Sequence, residues 1–338
     1  MSTTVSVDRV PAGPVGQEPV LSVRDLRVEY YTDSGVVQAV NGISFDLMPG
    51  QKLGLVGESG SGKSTMALAL MRMIKPPGRI SGGQLLLQGK DLVQQSEQQM
   101  RRLRSSEISM IPQGAMNSLN PVMRIERQII DTIEDHSDVK IGKRELLDRA
   151  HAALESVGLR RSVGRMFPHE LSGGMKQRAC IAIAVAMEPT LMIADEPTSA
   201  LDVVVQRQVM DTLLQLQEDL GVAVILIGHD MGLMAQSVDR LAVMYAGKFA
   251  ELARTREMFA APQHPYTQLL IDSLPKLEER GTFNGIPGLP PSLKDLPPGC
   301  LFHPRCPHAM DICVVEDPAY LEVSPEHYAA CHLLTEKP

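Results

Sequence analysis

The stretch that decides the fold is KLGLVGESGSGKSTMALALMRMI, residues 52–74. It begins with a short continuous apolar run, residues 52–57, which is typical of a strand covered on both faces of a sheet. It ends with the apolar helical pattern of residues 64–74. Between the two, GESGSGKST matches a glycine-rich phosphate-binding loop in the strand–loop–helix context that such a loop requires. The stretch therefore predicts an α/β sheet with a phosphate site at the end of one strand.

Each residue type in this loop has its own task. Glycines at positions 57, 60 and 62 let the backbone curl so that consecutive N–H groups face phosphate oxygens. Lys63 is placed to reach the β and γ oxygens of a nucleoside triphosphate, and Ser64 to put its hydroxyl on Mg²⁺. The candidate contacts to ATP in this loop are Gly57, Ser59, Gly60, Ser61, Gly62, Lys63, Ser64 and Thr65.

Polar side chains also follow other predicted strands. LMIADEP, residues 191–197, delivers Asp195 and Glu196 at the carboxyl end of a strand, where ligands collect in α/β sheets. We expect Asp195 to hold Mg²⁺ through water and Glu196 to orient or deprotonate the attacking water. His229 ends the strand VAVILIGHD and is expected to reach the γ-phosphate and Glu196. Taken singly, such residues are more often structural, and it is the phosphate loop upstream that favours the catalytic interpretation.

The rest of the chain predicts the domain organisation. Buried-strand patterns such as SMIP and TLMIAD alternate with helical patterns, which indicates a mostly parallel sheet over residues 21–260. Residues 121–188 have a helical pattern almost throughout, which predicts a helical subdomain inserted into the sheet domain. Residues 1–20 are expected to form a flexible arm, and the proline-rich residues 261–338 a loop-rich extension.

Composition excludes several classes of protein. With 338 residues, 43% of them hydrophobic and 22% charged, the chain can bury a large core and is not disordered as a whole. Its net charge of −7 argues against nucleic-acid binding through bulk electrostatics. No apolar run approaches the roughly 18 residues that a membrane-spanning helix needs. The N-terminus lacks a secretory pattern, so we expect a cytosolic protein without structural disulfides.

A second anion-binding pattern, LSGGMKQR at residues 171–178, is a glycine loop that runs into an apolar helix. With it, the motifs form an ordered series that resembles the ATP-binding subunits of ABC transporters over about residues 21–260. The series consists of the phosphate loop, Gln113 after SMIP, LSGGMKQR, LMIADEP, SALD at residues 199–202, and His229. The resemblance implies a RecA-like P-loop ATPase core with an inserted helical subdomain.

The same resemblance implies a site shared between two subunits. In ABC ATPases two cassettes pair head to tail, and the LSGG loop of one covers the ATP on the phosphate loop of the other. Ser172, Gly173, Gly174 and Asp202 are thereby expected to contact the partner's ATP. Gln113 is expected to touch Mg²⁺ and the attacking water. Tyr30 is expected to stack on adenine, with the adjacent Tyr31 left open as the alternative.

Four of the five cysteines lie close together in the extension, at Cys300, Cys306, Cys313 and Cys331, whereas Cys180 fits a small buried residue. Their spacing lacks the tight C-x-x-C pairs of common zinc modules. Spacing alone therefore leaves three possibilities open: an iron–sulfur cluster, no metal, or zinc with further ligands among His303, His308 and His332.

The sequence around these cysteines favours the iron–sulfur cluster among the three possibilities. HPYTQLL, the stretch from residue 286 to residue 313 and the final AACH resemble the C-terminal extension of dipeptide and oligopeptide permease ATPases. In that branch the four cysteines bind a [4Fe-4S] cluster, for which we expect a structural role. The resemblance implies ATP-driven peptide import at the cytoplasmic face of the plasma membrane. The implied partners are a second ATPase subunit, identical or different, two transmembrane permease subunits and, indirectly, an extracytoplasmic solute-binding protein.

Three other functions compete with peptide import. A soluble ABC protein acting on nucleic acid or the ribosome usually carries two cassettes or a long coiled coil, and this chain has neither. In a small-molecule kinase, LSGGMKQR and SALD would have no purpose. Import of nickel or an oligosaccharide stays open, because solute specificity lies in other subunits of such systems.

Overall fold

The computed structural model describes residues 18–274 and 285–335. The expected flexible arm lies almost wholly outside these residues, and the first strand begins at Leu21. The strands of the described chain are β1 (Leu21–Thr32), β2 (Gly35–Leu47), β3 (Lys52–Val56), β4 (Gly78–Leu87), β5 (Lys90–Asp91), β6 (Ile108–Ile111), β7 (Leu191–Asp195), β8 (Ala223–Ile227), β9 (Arg240–Tyr245), β10 (Lys248–Arg254), β11 (Tyr320–Ser324) and β12 (His327–Ala330).

Along the chain, the α-helices lie between these strands. They are α1 (Lys63–Leu70), α2 (Glu97–Ser106), α3 (Ile125–His136), α4 (Lys143–Ser156), α5 (Gly173–Val185), α6 (Val203–Leu220), α7 (Met231–Ser237), α8 (Thr255–Ala260), α9 (Pro265–Asp272) and α10 (Asp311–Val315). None of the described helices combines the length and the apolar character that a membrane-spanning helix needs.

The main sheet has the strand order β11-β12-β10-β9-β3-β8-β7-β6. Strands β6, β7, β8, β3 and β9 are parallel neighbours, which confirms the predicted parallel core. The smaller sheet is antiparallel, in the order β2-β1-β4-β5. The fold is therefore the P-loop α/β architecture that the sequence predicts.

The central strands are apolar throughout because both of their faces are covered. In β7, Leu191 and Ile193 lie in one hydrophobic core, whereas Met192 and Ala194 lie in the other. The first core also holds Met66 and Leu70 of α1 and the inner face of the small sheet. Helix α1 is thus packed between the two sheets, which fixes the phosphate loop that precedes it.

Between β6 and β7 the described chain contains no strand. Helices α3, α4 and α5 pack together there through apolar residues such as Ile129, Ile133 and Leu154. Two short 3₁₀ helices, Arg161–Arg165 and Pro168–Glu170, lead into the LSGG loop. This agrees with the helical pattern of residues 121–188.

The extension is less loop-like than its composition suggests. Strands β11 and β12 form a hairpin, and β12 pairs antiparallel with β10, so the extension adds two strands to the main sheet. Tyr328 and Ala329 of β12 are buried by this pairing. An unpaired edge of β10 would expose backbone N–H and C=O groups, and the hairpin satisfies them.

Candidate nucleotide site

The phosphate loop lies against neighbouring backbone so closely that only glycine fits at two positions. Gly57 has φ +147°, and a Cβ there would lie 2.1 Å from the carbonyl oxygen of Met244. Gly62 has φ +104°, and its Cβ would lie 2.2 Å from the carbonyl oxygen of Ala39. The loop therefore leads from β3 into α1 in a shape that β2 and β9 impose.

Lys63 is buried within the loop. Its Nζ donates to the carbonyl oxygens of Gly57 and Glu58, each at 2.8 Å, and to Ser61 Oγ at 3.2 Å. Burial lowers the pKa of Lys63, whereas the nearby carboxylates, Glu196 first among them, raise it. The ammonium group is thus held at the phosphate loop and faces the carboxylates of the strand ends.

Asp195 is the last residue of β7 and is buried. Burial raises its pKa, and a hydrogen bond from the Ser64 hydroxyl acts in the opposite direction. Its Oδ1 has no hydrogen-bond partner among the residues that the structure describes. A buried carboxylate oxygen without a partner is costly and is suited to a cation.

Glu196, which follows β7, lies beside residues that follow the two neighbouring strands, β6 and β8. Gln113 Nε2 donates to Glu196 Oε2 at 2.8 Å, and His229 Nδ1 lies 3.7 Å from Glu196 Oε1. The side chain of Glu196 is 21% exposed and that of His229 is 71% exposed. Because β6, β7 and β8 are adjacent and parallel, the residues that follow them meet at one edge of the sheet.

In the LSGG loop, the Ser172 side chain forms a hydrogen bond within its own helix, α5. Ser172 is the N-cap of α5, and its Oγ accepts from the Met175 N–H at 3.3 Å. Gly174 is required by packing, because a Cβ there would lie 2.6 Å from Val205 Cγ1. Ser172 and Gly173 are exposed, so the positive end of α5 faces solvent.

Asp202 has a similar position at the start of α6. Its Oδ1 accepts from the N–H groups of Val204 at 3.1 Å and Val205 at 3.0 Å. Within the described chain, Ser172 and Asp202 use these side-chain oxygens on their own helices, and neither forms a hydrogen bond to residues 57–65.

The two candidate adenine-stacking residues differ in their surroundings. The Tyr30 ring lies against Gly78, where a Cβ would be 2.5 Å from Tyr30 Cε1. Arg79 lies over the Tyr31 ring, 4.2 Å from its centroid, and donates to the Tyr31 hydroxyl at 2.7 Å. Tyr30 is half-buried and Tyr31 is exposed.

A contact that the sequence analysis missed joins the extension to the phosphate loop. Arg305 forms an ion pair with Glu58, and Tyr266 Oη accepts from the Glu58 N–H at 2.9 Å. The hydrogen bonds to Glu58 raise the pKa of Arg305. Glu58 and Arg305 are 247 positions apart, so no local pattern connects them.

The four cysteines of the extension are free thiols that influence one another. The pKa of Cys300 is raised to about 11, mainly by burial and to a smaller extent by the other three thiols. Cys306 Sγ accepts from the His308 N–H at 3.4 Å. Yet residues 18–274 and 285–335 contain no group of three or more His, Cys, Asp or Glu side chains placed to hold a metal ion.

Two of the candidate zinc-binding histidines have a ring nitrogen within hydrogen-bond distance of a backbone carbonyl oxygen. His303 Nδ1 is 2.9 Å from the Cys300 carbonyl oxygen, and His332 Nε2 is 2.9 Å from that of Glu316. Cys180 is buried, and its thiol donates to the Ala115 carbonyl oxygen at 3.3 Å. This burial confirms its interpretation as a small buried residue, and it raises the pKa of Cys180 to about 12.

Sequence comparison identifies the family of this chain. The sequence model described as "ABC transporter" matches residues 40–199. The oligopeptide transport ATP-binding protein OppD of Bacillus subtilis (strain 168) is 44% identical over 93% of this chain and 89% of its own length. OppD of Escherichia coli (strain K12) is 42% identical over 97% of each chain. The dipeptide transport ATP-binding protein DppD of Caldanaerobacter subterraneus is 41% identical over 94% of this chain and 98% of its own.

Structural comparison agrees with this result at the level of the fold. The ATP-binding cassette MJ0796, in a dimeric post-hydrolysis state bound to ADP and Pi, has a TM-score of 0.63 at 23% identity. The match covers 70% of this chain and 99% of that one.

The chain therefore belongs to the ABC transporter family, as an ATP-hydrolysing cassette that uses ATP and Mg²⁺. Its residues 250–313 match the model described as "Oligopeptide/dipeptide transporter, C-terminal region", which identifies the branch of the family.

Proposed function

We propose that this chain hydrolyses ATP to power peptide import through an ABC permease complex. The observation that carries the proposal is the match of residues 250–313 to the C-terminal region of oligopeptide and dipeptide transporters. Relatives described as oligopeptide or dipeptide transport ATP-binding proteins support it, because they align with more than nine-tenths of this chain.

In this function Glu196 is the base that orients and deprotonates the attacking water. Gln113 supports this role, because its amide fixes one carboxylate oxygen of Glu196 at 2.8 Å. His229 lies beside the other oxygen at 3.7 Å and is exposed enough to reach the γ-phosphate. Lys63 and the backbone N–H groups of residues 59–65 bind the phosphates.

The residues at the strand ends suit Mg²⁺, a cation that prefers oxygen ligands. Ser64, Gln113 and Asp195 would hold the ion, which supplies neutralising charge to the phosphate oxygens when bound. The buried Asp195 Oδ1 that lacks a partner supports this assignment. The Gln113 amide oxygen also fits, because the hydrogen bond to Glu196 uses only its nitrogen.

We propose that two cassettes close over ATP, each completing the site of the other. Ser172, Gly173, Gly174 and Asp202 then contact ATP on the partner cassette, which is a second copy or a related chain. Exposure of Ser172 and Gly173 at the N-terminus of α5 supports this role. The solved MJ0796 cassettes are described as dimeric. Tyr30, with Tyr31 as the alternative, is proposed to stack on adenine.

The complete importer requires partners outside this chain. We propose two transmembrane permease subunits, with an extracytoplasmic solute-binding protein acting indirectly and no nucleic acid. The cassette then lies on the cytoplasmic side of the plasma membrane.

Reconstitution tests the proposed function. The chain co-expressed with the permease subunits and the second ATPase is expected to co-purify with them and to drive ATP-dependent peptide uptake into liposomes. Lys63→Ala in the same complex is the control and is expected to abolish uptake. Uptake of nickel or oligosaccharide but not of peptides would contradict the peptide assignment. ATPase activity that responds to nucleic acid and not to permease subunits would favour the nucleic-acid alternative.

We also propose that Cys300, Cys306, Cys313 and Cys331 bind a [4Fe-4S] cluster that stabilises the extension. The chemistry of the donors fits, since all four are free thiols and they influence one another electrostatically. In the part of the chain that the structure describes, no three of these side chains are placed to hold a metal ion together. We therefore assign the cluster no step in ATP hydrolysis.

Iron and acid-labile sulfide in anaerobically purified protein test this assignment. About four of each per chain are expected. Cys306→Ser is expected to lose most of both, whereas Cys180→Ala, at the cysteine outside the extension, is expected to keep them. Zinc alone, or no metal, would overturn the cluster.

A further inference from the structure

The extension reaches the phosphate loop through Arg305, which lies in the 3₁₀ helix His303–Arg305. Its guanidinium forms a two-pronged ion pair with Glu58, the second residue of the loop, at 2.6 Å and 3.0 Å. The side chain of Arg305 is 4% exposed and that of Glu58 is 27% exposed. Such planar, paired hydrogen bonds between charged groups are among the stronger polar contacts in proteins.

Arg305 is itself held in place by the extension and by β9. Its Nε donates to the Pro287 carbonyl oxygen at 2.8 Å, and one terminal nitrogen lies 3.3 Å from Tyr245 Oη. The rings of Tyr245 and Phe302 flank the guanidinium at 5.8 Å and 6.0 Å. Arg305 is therefore a fixed positive charge and not a mobile surface side chain.

The polar groups of Glu58 all have partners in this arrangement. Its N–H donates to Tyr266 Oη at 2.9 Å, and its carbonyl oxygen accepts from Lys63 Nζ at 2.8 Å. Its carboxylate is the partner of Arg305. Tyr266, in α9, is fully buried. One residue of the phosphate loop is thus held by Lys63 on one side and by two residues beyond β10 on the other.

A carboxylate at this position has an electrostatic cost for a loop that binds phosphates. Glu58 adds negative charge beside the site of a polyanionic ligand, where Asp195 and Glu196 already lie close enough to interact with Lys63. Repulsion between like charges a few ångströms apart is substantial in a partly buried site. A buried guanidinium bound to the carboxylate cancels most of that repulsion.

We infer that Arg305 is a positioning residue for ATP: it neutralises Glu58 and fixes the phosphate loop, so that the C-terminal extension sets the affinity of the cassette for ATP. The inference rests on ATP binding by the cassette and is independent of the solute that the importer carries.

ATP affinity of the full-length chain, measured by equilibrium titration, tests the inference through a double-mutant cycle. Arg305→Met leaves Glu58 uncompensated and is expected to weaken ATP binding on the order of tenfold. Glu58→Gln is expected to stay within about threefold of wild type, since the repulsive charge is gone. The double variant Glu58→Gln/Arg305→Met is expected to regain most of the affinity that Arg305→Met loses. The deficit of Arg305→Met is also expected to shrink as ionic strength rises.

Arg254→Met is the matched control. Arg254 also joins the cassette to the extension through an ion pair, with Glu326, but it lies on β10 and does not touch the phosphate loop. It is expected to leave ATP affinity unchanged. Lys63→Ala marks complete loss of ATP binding, so failure of the cassette itself is distinguishable from failure of the inference.

Two results would overturn the inference. Wild-type affinity in folded Arg305→Met would remove any role of Arg305, and a double variant as weak as Arg305→Met would show that charge neutralisation is not its role. If Arg305→Met does not fold, Arg305→Lys replaces it. That variant keeps the charge but loses the two-pronged pair, and a loss of about threefold is expected. Unchanged affinity in folded Arg305→Lys would contradict the role of the two-pronged pair in fixing the phosphate loop.

Discussion

At the scale of single residues, Glu196 combines an unusual backbone with a central place in the site. Its φ is +46°, a conformation that side-chain-bearing residues rarely adopt, and its N–H donates to the Ile227 carbonyl oxygen at 2.9 Å. Strained backbone of this kind persists where the surrounding structure holds it in place. Here Ile227 of β8 holds the backbone of Glu196, and Gln113 holds its carboxylate, at the junction of three strand ends.

Glu196→Gln separates binding from hydrolysis. The substitution preserves shape but removes the proposed base, so hydrolysis is expected to fall about 10²- to 10⁴-fold while ATP affinity changes little. Phosphate release and equilibrium ATP binding, measured on the same preparation, check this result. In the proposed pair of cassettes, this variant is expected to stay closed on ATP. Normal phosphate release from Glu196→Gln would contradict the role of Glu196 as base.

Gly57→Ala tests whether the loop is shaped by its neighbours. The added Cβ would lie 2.1 Å from the Met244 carbonyl oxygen, so either the loop or β9 has to move. ATP binding is expected to be lost, with a lower melting temperature. Gly60→Ala is the control: φ is +79° there, but nothing lies within 4 Å of the new Cβ. Its cost is expected to be about 1–2 kcal/mol from backbone strain alone. Equal effects of the two substitutions on ATP binding would show that close contact is not decisive at Gly57.

At the scale of the element, helix N-termini offer a matched test of the LSGG loop. Ser172 caps α5 and Ser96 caps α2, each through a side-chain oxygen that accepts a backbone N–H. Alanine at either position is expected to cost about 1 kcal/mol of stability. Only Ser172→Ala is expected to slow ATP hydrolysis, by about tenfold or more, because only Ser172 is proposed to contact the partner's ATP. Hydrolysis rates and denaturant unfolding of the two variants decide the matter, and equal hydrolysis rates would contradict the proposed contact.

At the scale of the whole molecule, a buried polar cluster joins the cassette to its extension. Glu251 of β10 accepts from the His264 N–H at 2.8 Å and lies 2.7 Å from His327 Nε2 of β12. His264 caps α9, its Nδ1 accepting from the Tyr266 N–H at 3.0 Å. An accepting nitrogen must be unprotonated, so this junction requires neutral His264.

Stability of the protein is therefore expected to fall in mild acid. Burial lowers the pKa of His264 from 6.5 to about 4, although Glu251 acts in the opposite direction. Between these values the unfolded chain binds more protons than the folded one. The stability contribution is complete above pH 6.5 and is lost as pH falls toward about 4. The difference corresponds to about 3 kcal/mol.

Unfolding free energies of wild type and His264→Asn across this pH range check the expectation. Asparagine keeps an N-cap acceptor without titrating, so the variant is expected to lose less stability than wild type as pH falls. Parallel curves for the two proteins would show that His264 is not the group responsible.

Local sequence determined the parts of this protein whose information lies within a few residues. Continuous apolar runs predicted β3, β7 and β8, because strands covered on both faces need apolar side chains at every position. The spacing of glycines and Lys63 predicted the phosphate loop, and strand-end positions predicted that His229 would reach Glu196. The resemblance to ABC transporter subunits added Gln113 to the same site. The three side chains do meet, because adjacent parallel strands end at one edge.

Tertiary structure alone decided what joins distant parts of the chain. The pairing of β12 with β10 and the bond between Arg305 and Glu58 depend on how the chain returns to its own core. The sequence predicted a loop-rich extension because its strands are short and its prolines are many. The partner of β12 lies about 75 positions away along the chain, and the partner of Arg305 lies about 250 positions away. No periodicity or spacing records such contacts, since burial and charge compensation come into being only when the packed surfaces meet.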